Sequence, residues 1–295
     1  MVFNLKLKIS ALVVTFNRKD ELIKTIKSLR FNGFQECDIF VINNNSNDGT
    51  QELIESIFPN LSLINLPENI ASAGGFAKGL EISFKKGYDW CFLCNDDSRP
   101  KKGCLESMIS ALNSCSDHKL AFLKVANLNP NGEALLLKWK GIGVQYSIPI
   151  SDKLIKTDLI TFDGCMISSE LITKIGYCDP EFFMGVYEYD YCLRAKDAGY
   201  SCYVLPNGLL EDGKLGSISG TPPWRQYYNT RNLLWLGINR KSFMIIKGWL
   251  IRELKYTYAI IFFGDRKLER LHFKFRAVRD ALLNRRGRTY DPSKY

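Results

Sequence analysis

The chain has 295 residues, 46% of them hydrophobic and 24% charged, with a formal net charge of +9. That composition buries a core and excludes a disordered, collagen-like or low-complexity chain, and the length fits one large α/β domain with an appendage or two smaller domains. The longest uncharged apolar run, Tyr256–Gly264, falls far short of the ~20 residues that span a bilayer, and no apolar block with a small-residue cleavage site marks a secretory leader.

In chain order, Ser10–Thr15 is a β-branched apolar run that predicts a strand. Residues 20–30 place Leu22, Ile23, Ile26 and Leu29 on one helical face, with Asp20 near its start. A second strand is expected over 38–43, closed by the turn-rich Asn43–Gly49, then a helix over 50–58 and a third strand over 61–66. A glycine-containing turn, 71–75, leads into a helix over 76–86. A fourth strand, 89–94, ends at Asn95-Asp96-Asp97-Ser98. Strands alternating with helices imply βαβ units and a mostly parallel sheet, whose ligands bind at the carboxyl ends of the strands. Polar clusters stand at three such ends: Thr15–Arg18, Asn43–Asp48 and Asn95–Ser98.

Asp96 and Asp97 are adjacent carboxylates that repel unless a cation neutralises them, and oxygen ligands suit Mg²⁺ or Mn²⁺. The same residues are also good turn chemistry. Gly74-Gly75 heads a helix and lets a backbone approach a phosphate, or simply starts that helix. If 187–198 is helical, Asp190 and Arg194 fall one turn apart and pair. Glu188, near the helix start, is then free to accept a proton from an attacking hydroxyl; a cap and a surface ion pair is the plainer alternative. The nine scattered cysteines read as reduced, buried thiols. Cys91-x-x-Cys94 has no second pair to complete a metal site and lies in a strand.

Charge is uneven. Residues 221–295 hold 17 Lys and Arg against 5 Asp and Glu, so this segment carries +12 and residues 1–220 carry −3. It is also rich in aromatic residues. A basic aromatic segment fits an anionic membrane surface, a helical subdomain packed on the body, or nucleic acid.

The ordered series Thr15-Phe16-Asn17-Arg18, Val41–Thr50, Asn69–Gly79, Asn95–Ser98, Gly164, Glu188-Tyr189-Asp190 and Arg194 closely resembles the family 2 glycosyltransferases, from about residue 8 to 235. The Thr-Phe-Asn-Arg start and the Ala-Gly-Gly-Phe-Ala-Lys-Gly segment are most similar to bacterial galactofuranosyltransferases, with rhamnosyltransferases next. The resemblance implies an inverting enzyme of the GT-A fold, a Rossmann-like α/β nucleotide-diphospho-sugar transferase domain over 1–217. A basic, mostly helical region follows over 218–295. It also implies roles: Thr15, Phe16, Asn17, Arg18, Asn43, Gly74, Gly75, Lys78, Asn95 and Asp96 toward the nucleotide sugar, with Asn43 where many members have Asp. Asp97 and Asp96 would hold Mn²⁺ or Mg²⁺, and Asp212 (or Glu211) stands in for a metal-binding His that this chain lacks. Glu188 would be the base, supported by Asp190 and Arg194, and Trp139, Asp163 and Gly164 would face the acceptor. Arg231, in Tyr227–Asn232, would face a phosphate or serve packing.

The reaction so implied moves a sugar, galactofuranose from its UDP donor, onto a polysaccharide or lipid-linked glycan of a bacterial surface. Such acceptors favour a cytoplasmic enzyme held peripherally at the inner membrane face and argue against nucleic acid as partner. The alternatives are a rhamnosyl- or hexopyranosyltransferase of the same family, or a non-catalytic membrane-bound scaffold.

Overall fold

The computed structural model describes residues 7–211 and 222–290. Its strands are β1 (Ile9–Thr15), β2 (Ile39–Asn43), β3 (Ser62–Asn65), β4 (Trp90–Asn95), β5 (Arg99–Pro100), β6 (Leu120–Val125), β7 (Ala134–Trp139), β8 (Gly143–Ile148), β9 (Ile155–Thr157), β10 (Cys165–Ser168), β11 (Ser201–Leu205) and β12 (Leu210–Glu211). Among the described residues eight of these form one sheet in the order β3-β2-β1-β4-β10-β6-β11-β9. The first four in sequence are parallel, and β6 and β11 share their direction. β10 and β9 run against them. β7 and β8 make a hairpin, and β5 pairs with β12.

The helices are α1 (Lys19–Phe31), α2 (Thr50–Ile57), α3 (Ala71–Lys85), α4 (Cys104–Ser114), α5 (Ser169–Ile175), α6 (Tyr187–Asp197), α7 (Pro223–Asn239), α8 (Phe243–Phe263) and α9 (Lys267–Leu282). Side chains alternate across a strand, so β1 sends Leu12 into one core with Phe76 and Leu80 of α3, and Ala11 and Val13 into another with Leu22, Ile26 and Leu29 of α1. The sheet is thereby covered on both faces. Cys91 and Cys94 lie on these opposite faces, which is what a spacing of three in a strand produces.

The turn expected over 71–75 is instead the first turns of α3. The reason is proximity. A Cβ on Gly75 would lie 2.6 Å from Val14 Cγ1, and one on Gly79 would lie 2.2 Å from Leu12 Cδ1. These glycines let α3 lie directly on β1, and Ala71, at φ +54°, makes the sharp entry.

The C-terminal helices share the main core: Leu233, Leu234, Trp235 and Leu236 of α7 and Ile245 of α8 pack with sheet residues. The chain after α9 returns to the body, where Gly287 N donates to Glu181 O at 2.8 Å and Arg288 reaches Glu68 at 3.3 Å.

Candidate active site

The tips of β1 and β4 meet through side chains. Asp96, buried at 5% exposure, accepts from Thr15 Oγ1 at 2.9 Å and from Arg18 at 2.9 Å, and the same guanidinium nitrogen reaches Asp97 Oδ2 at 2.9 Å. Thr25 of α1 donates to the Asp96 carbonyl. Burial pushes the Asp96 carboxyl up to about 6 against the pull of Arg18 and Thr15. Two carboxylates thus converge on one positive centre. Their hard oxygens in that arrangement fit Mg²⁺ or Mn²⁺, although among the described residues no third His, Cys, Asp or Glu joins them.

Asp212 lies outside the described residues. Glu211 is exposed on β12 and pairs in register with Arg99, two residues beyond Asp97. The chain before 212 therefore passes beside the acidic pair.

The β2 tip is built from its own amides. Asn43 is buried; its Nδ2 donates to Asn65 Oδ1 at 2.8 Å and its Oδ1 accepts from Ser46 N. Asn17, at φ +54°, accepts from Asn47 N, and its own N–H reaches Ser46 Oγ. Both asparagines hold the 43–49 turn against the start of α1, and Phe16 sits half-buried between the Thr15 and Asn17 positions. Gly74 and Gly75 are buried and turned toward Ile70 and Val14, while Lys78 is exposed and pairs with Glu81 at 2.9 Å. None of these three points into the acidic cluster through a contact.

The loop 159–164 joins the two acidic regions. Asp163 Oδ1 accepts from Asn95 N at 3.1 Å, and one residue earlier Phe162 N donates to Glu188 Oε1 at 2.9 Å. Gly164 locks the loop: its N–H donates to Leu93 O, its carbonyl accepts from Val125 N, and at φ +68° a Cβ would strike Leu210. Glu188 is thus two hydrogen bonds and one short loop away from Asp96. Exclusion of water raises its carboxyl to about 7, opposed by the Phe162 N–H and Lys124 and reinforced by Asp163.

Lys124 was not among the residues singled out by sequence. It is buried at 5% exposure and donates to the Asp163 carbonyl. The signal was present: one lysine inside the otherwise apolar run Leu120–Val125, where a buried charge requires a partner.

Asp190 and Arg194 do pair, at 2.8 Å, but Arg194 spends its other nitrogens on the Ile175 and Tyr177 carbonyls, both at 2.9 Å. Grouped with Glu188 as a catalytic set in the sequence reading, they instead brace α6 against the end of α5, because residues two apart on a helix face different ways. Trp139, at the end of β7, packs edge-on against Tyr189 with ring centroids 6.1 Å apart. Tyr189 follows Glu188 directly in the chain.

What aims Glu188 is a strained loop. Phe183, Gly185 and Val186 all have positive φ, at +62°, +68° and +70°; for a β-branched residue that is a genuine outlier. The loop is held from two sides. Ala73 N of α3 donates to Phe183 O, and Asn232 Nδ2 of α7 donates to the carbonyls of Phe182, Met184 and Gly185. Arg231 is 1% exposed and binds the Phe182 and Gly287 carbonyls between the rings of Tyr227 and Tyr228. Of the two expectations for Arg231, the packing one holds.

A parallel-dominated sheet with its polar tips gathered on one edge and helices following it is the GT-A architecture of nucleotide-sugar transferases. Solved structures share the fold: Staphylococcus aureus TarS 1–349 in complex with UDP-GlcNAc (TM-score 0.58, 16% identity, 94% of this chain and 81% of that one) and the Pyrobaculum calidifontis mannosyltransferase PcManGT with GDP-Man and Mn²⁺ (TM-score 0.55, 13% identity, 97% and 77%). The chain belongs to glycosyl transferase family 2, whose model matches residues 10–169, and is a nucleotide-sugar-dependent glycosyltransferase. It is similar to the dTDP-rhamnosyl transferase RfbF of Shigella flexneri, 22% identical over 93% of this chain and 95% of the relative. It is also similar to galactofuranosyltransferase GlfT1 of Mycolicibacterium smegmatis, 25% identical over 60% of this chain and 61% of that protein.

Proposed function

We propose that the protein transfers galactofuranose from UDP-galactofuranose, by a single inverting displacement, to a polysaccharide or lipid-linked glycan of a bacterial surface. The observation that carries this reading is the run from Arg18 to Asp96, from the next residue Asn95 to Asp163, and from the adjoining Phe162 to Glu188, three hydrogen bonds linked by chain neighbours that connect a cation-paired carboxylate to one raised to about 7. Thr15, Phe16, Asn17, Arg18 and Asn95 face the nucleotide diphosphate, and Asp97 with Asp96 would hold a divalent ion. When bound, that ion supplies positive charge at the departing diphosphate.

Arg18 contributes the same sign of charge from the protein itself. Glu188, at about 7, takes the proton of the acceptor hydroxyl as it attacks the anomeric carbon. Lys124 and Asp163 hold that loop in place, and Trp139 offers a flat apolar wall to the acceptor sugar beside Tyr189. Residues 1–217 form the catalytic unit, with 218–295 attaching it peripherally to the inner face of a membrane.

A second donor, dTDP-rhamnose, is favoured by one observation: the dTDP-rhamnosyl relative aligns over nearly the whole chain. Both donors present a pyrimidine nucleoside diphosphate to the same tips. Purified protein with Mn²⁺ and a panel of UDP- and dTDP-sugars separates them by nucleotide release. No release and no thermal shift with any donor would sink the reading.

A further inference from the structure

α8 is inside out. A helix resting on a soluble domain normally turns its apolar stripe inward and its charges to water. Here the residues facing outward at helical spacing are Phe243, Met244, Leu250, Leu254, Tyr258 and Phe262, with Phe243 at 78% and Leu254 at 64% exposure. The inward face holds only Ile245 and Ile260 as fully buried apolar side chains, and with them an ion cluster. Glu253 is 3% exposed and takes Thr230 of α7 at 3.1 Å, Arg252 at 2.7 Å and Lys274 of α9 at 3.1 Å. Leaving a stripe of large apolar side chains in water while burying an ion cluster is costly unless something covers the stripe.

The charge on the stripe selects what covers it. The outward positions that are not apolar are Lys247 and Lys255, both exposed. The end of α8 and the turn into α9 add the exposed Phe263, Arg266 and Lys267, with Asp265 of that turn paired to Arg266 and Arg270. A second copy packed face to face by two-fold symmetry would bring these cations together, whereas an anionic lipid surface neutralises them and accepts the rings. Among the described residues no helix is long and apolar enough to cross a membrane, so the stripe lies on the surface.

We infer that the outward face of α8, from Phe243 to Phe263, seats the protein on an anionic bilayer. This deepens the attachment proposed above and rests on that reading only for its orientation. The hairpin turn at Gly141 packs against Met244 and Gly248 of α8 so closely that a Cβ on Gly141 would lie 2.2 Å from Met244 O. That hairpin carries Trp139, which touches Tyr189 beside Glu188. The seat therefore adjoins the acceptor side of the pocket, and an acceptor anchored in the same bilayer reaches Glu188 from along the hairpin.

The test is flotation of the full chain with phosphatidylcholine vesicles, with and without phosphatidylglycerol, at low and high salt, alongside hydrolysis of the nucleotide-sugar donor. The protein should float with the anionic vesicles and less so at high salt. The triple variant Leu250→Glu, Leu254→Glu, Phe262→Glu should lose vesicle partitioning by at least ~100-fold, with its melting temperature and donor hydrolysis retained. Because the triple variant adds three charges at once, Lys247→Glu with Lys255→Glu is the second arm, expected to weaken anionic binding by ~10-fold or more with the apolar stripe intact.

The proposal is overturned if the wild type stays unbound while hydrolysing donor, or if the triple variant still floats. It also falls if light scattering shows a dimer that the triple variant dissolves. Flotation without hydrolysis of any donor would uphold the seat and sink the transferase assignment of the rim.

Discussion

The two carboxylate regions of the rim are built in opposite ways. Asp96 and Asp97 share a guanidinium and stand on a strand tip, with Thr15 from the neighbouring strand completing the set. Among the described residues no cation hydrogen-bonds Glu188; it accepts the Phe162 N–H, feels Lys124 only through space, and stands on a helix entered through left-handed residues. Burial raises both Asp96 and Glu188, to about 6 and about 7, yet their surroundings differ. A carboxylate in direct contact with a cation is suited to holding charge, and one hydrogen-bonded to an amide with its cation at a distance is suited to moving a proton.

Removing the proton acceptor is the sharpest way to break this contrast. Glu188→Gln should lower turnover by ~10²–10⁴-fold while donor-induced thermal shift persists; retained turnover would place the base elsewhere. The same variant should be more stable than the wild type above about 7. Because the folded pKa is raised, the wild-type carboxyl favours folding only while protonated, and that contribution is lost as pH rises from the ordinary carboxylate range through about 7. Melting temperatures of both proteins across that window check the sign. Wild-type kcat/KM should rise through the same midpoint, and a flat profile would contradict the assignment.

On the other side, Asp97→Asn should cost ~10²-fold in turnover and weaken any Mn²⁺ dependence, leaving the pH midpoint unmoved. A shifted midpoint would mean that the two regions are not separable.

Next in size is Asn232→Ala. It releases three carbonyls of the strained loop and should reduce kcat by ~10-fold with donor KM unchanged, because a displaced base loses rate before binding is lost. An effect on donor KM alone would disprove this positioning role. Smallest for catalysis is Gly79→Ala, which presses on Leu12 beneath α3. It should cost ~1–3 kcal/mol of stability, read as a lowered melting temperature, with the folded enzyme fully active.

Much of the donor side was legible in sequence. Strand-forming runs punctuated by Asn, Asp and Ser clusters are local signals, and topology puts parallel strand tips on one edge, so Thr15, Arg18, Asp96 and Asp97 come together by necessity. The α3 start was misplaced because Gly74 and Gly75 look like turn residues until the strand beneath them is known. Arg194 was matched to its partner Asp190 by helical spacing, but its further bonds to the Ile175 and Tyr177 carbonyls come from another element and carry no periodic signal.

Hydrophobic periodicity and local turn chemistry along the chain were enough to determine the α/β alternation, the polar strand tips and the basic, aromatic C-terminal segment. Only the tertiary structure decided that Lys124 anchors the Asp163 loop, that Asn232 holds the strained entry to α6, and that α8 turns its apolar side outward. The physical reason is range. Propensity and period act between near neighbours, whereas a buried amide 50 residues from the carbonyl it binds, or the choice of which helix face meets water, is settled only when distant segments pack.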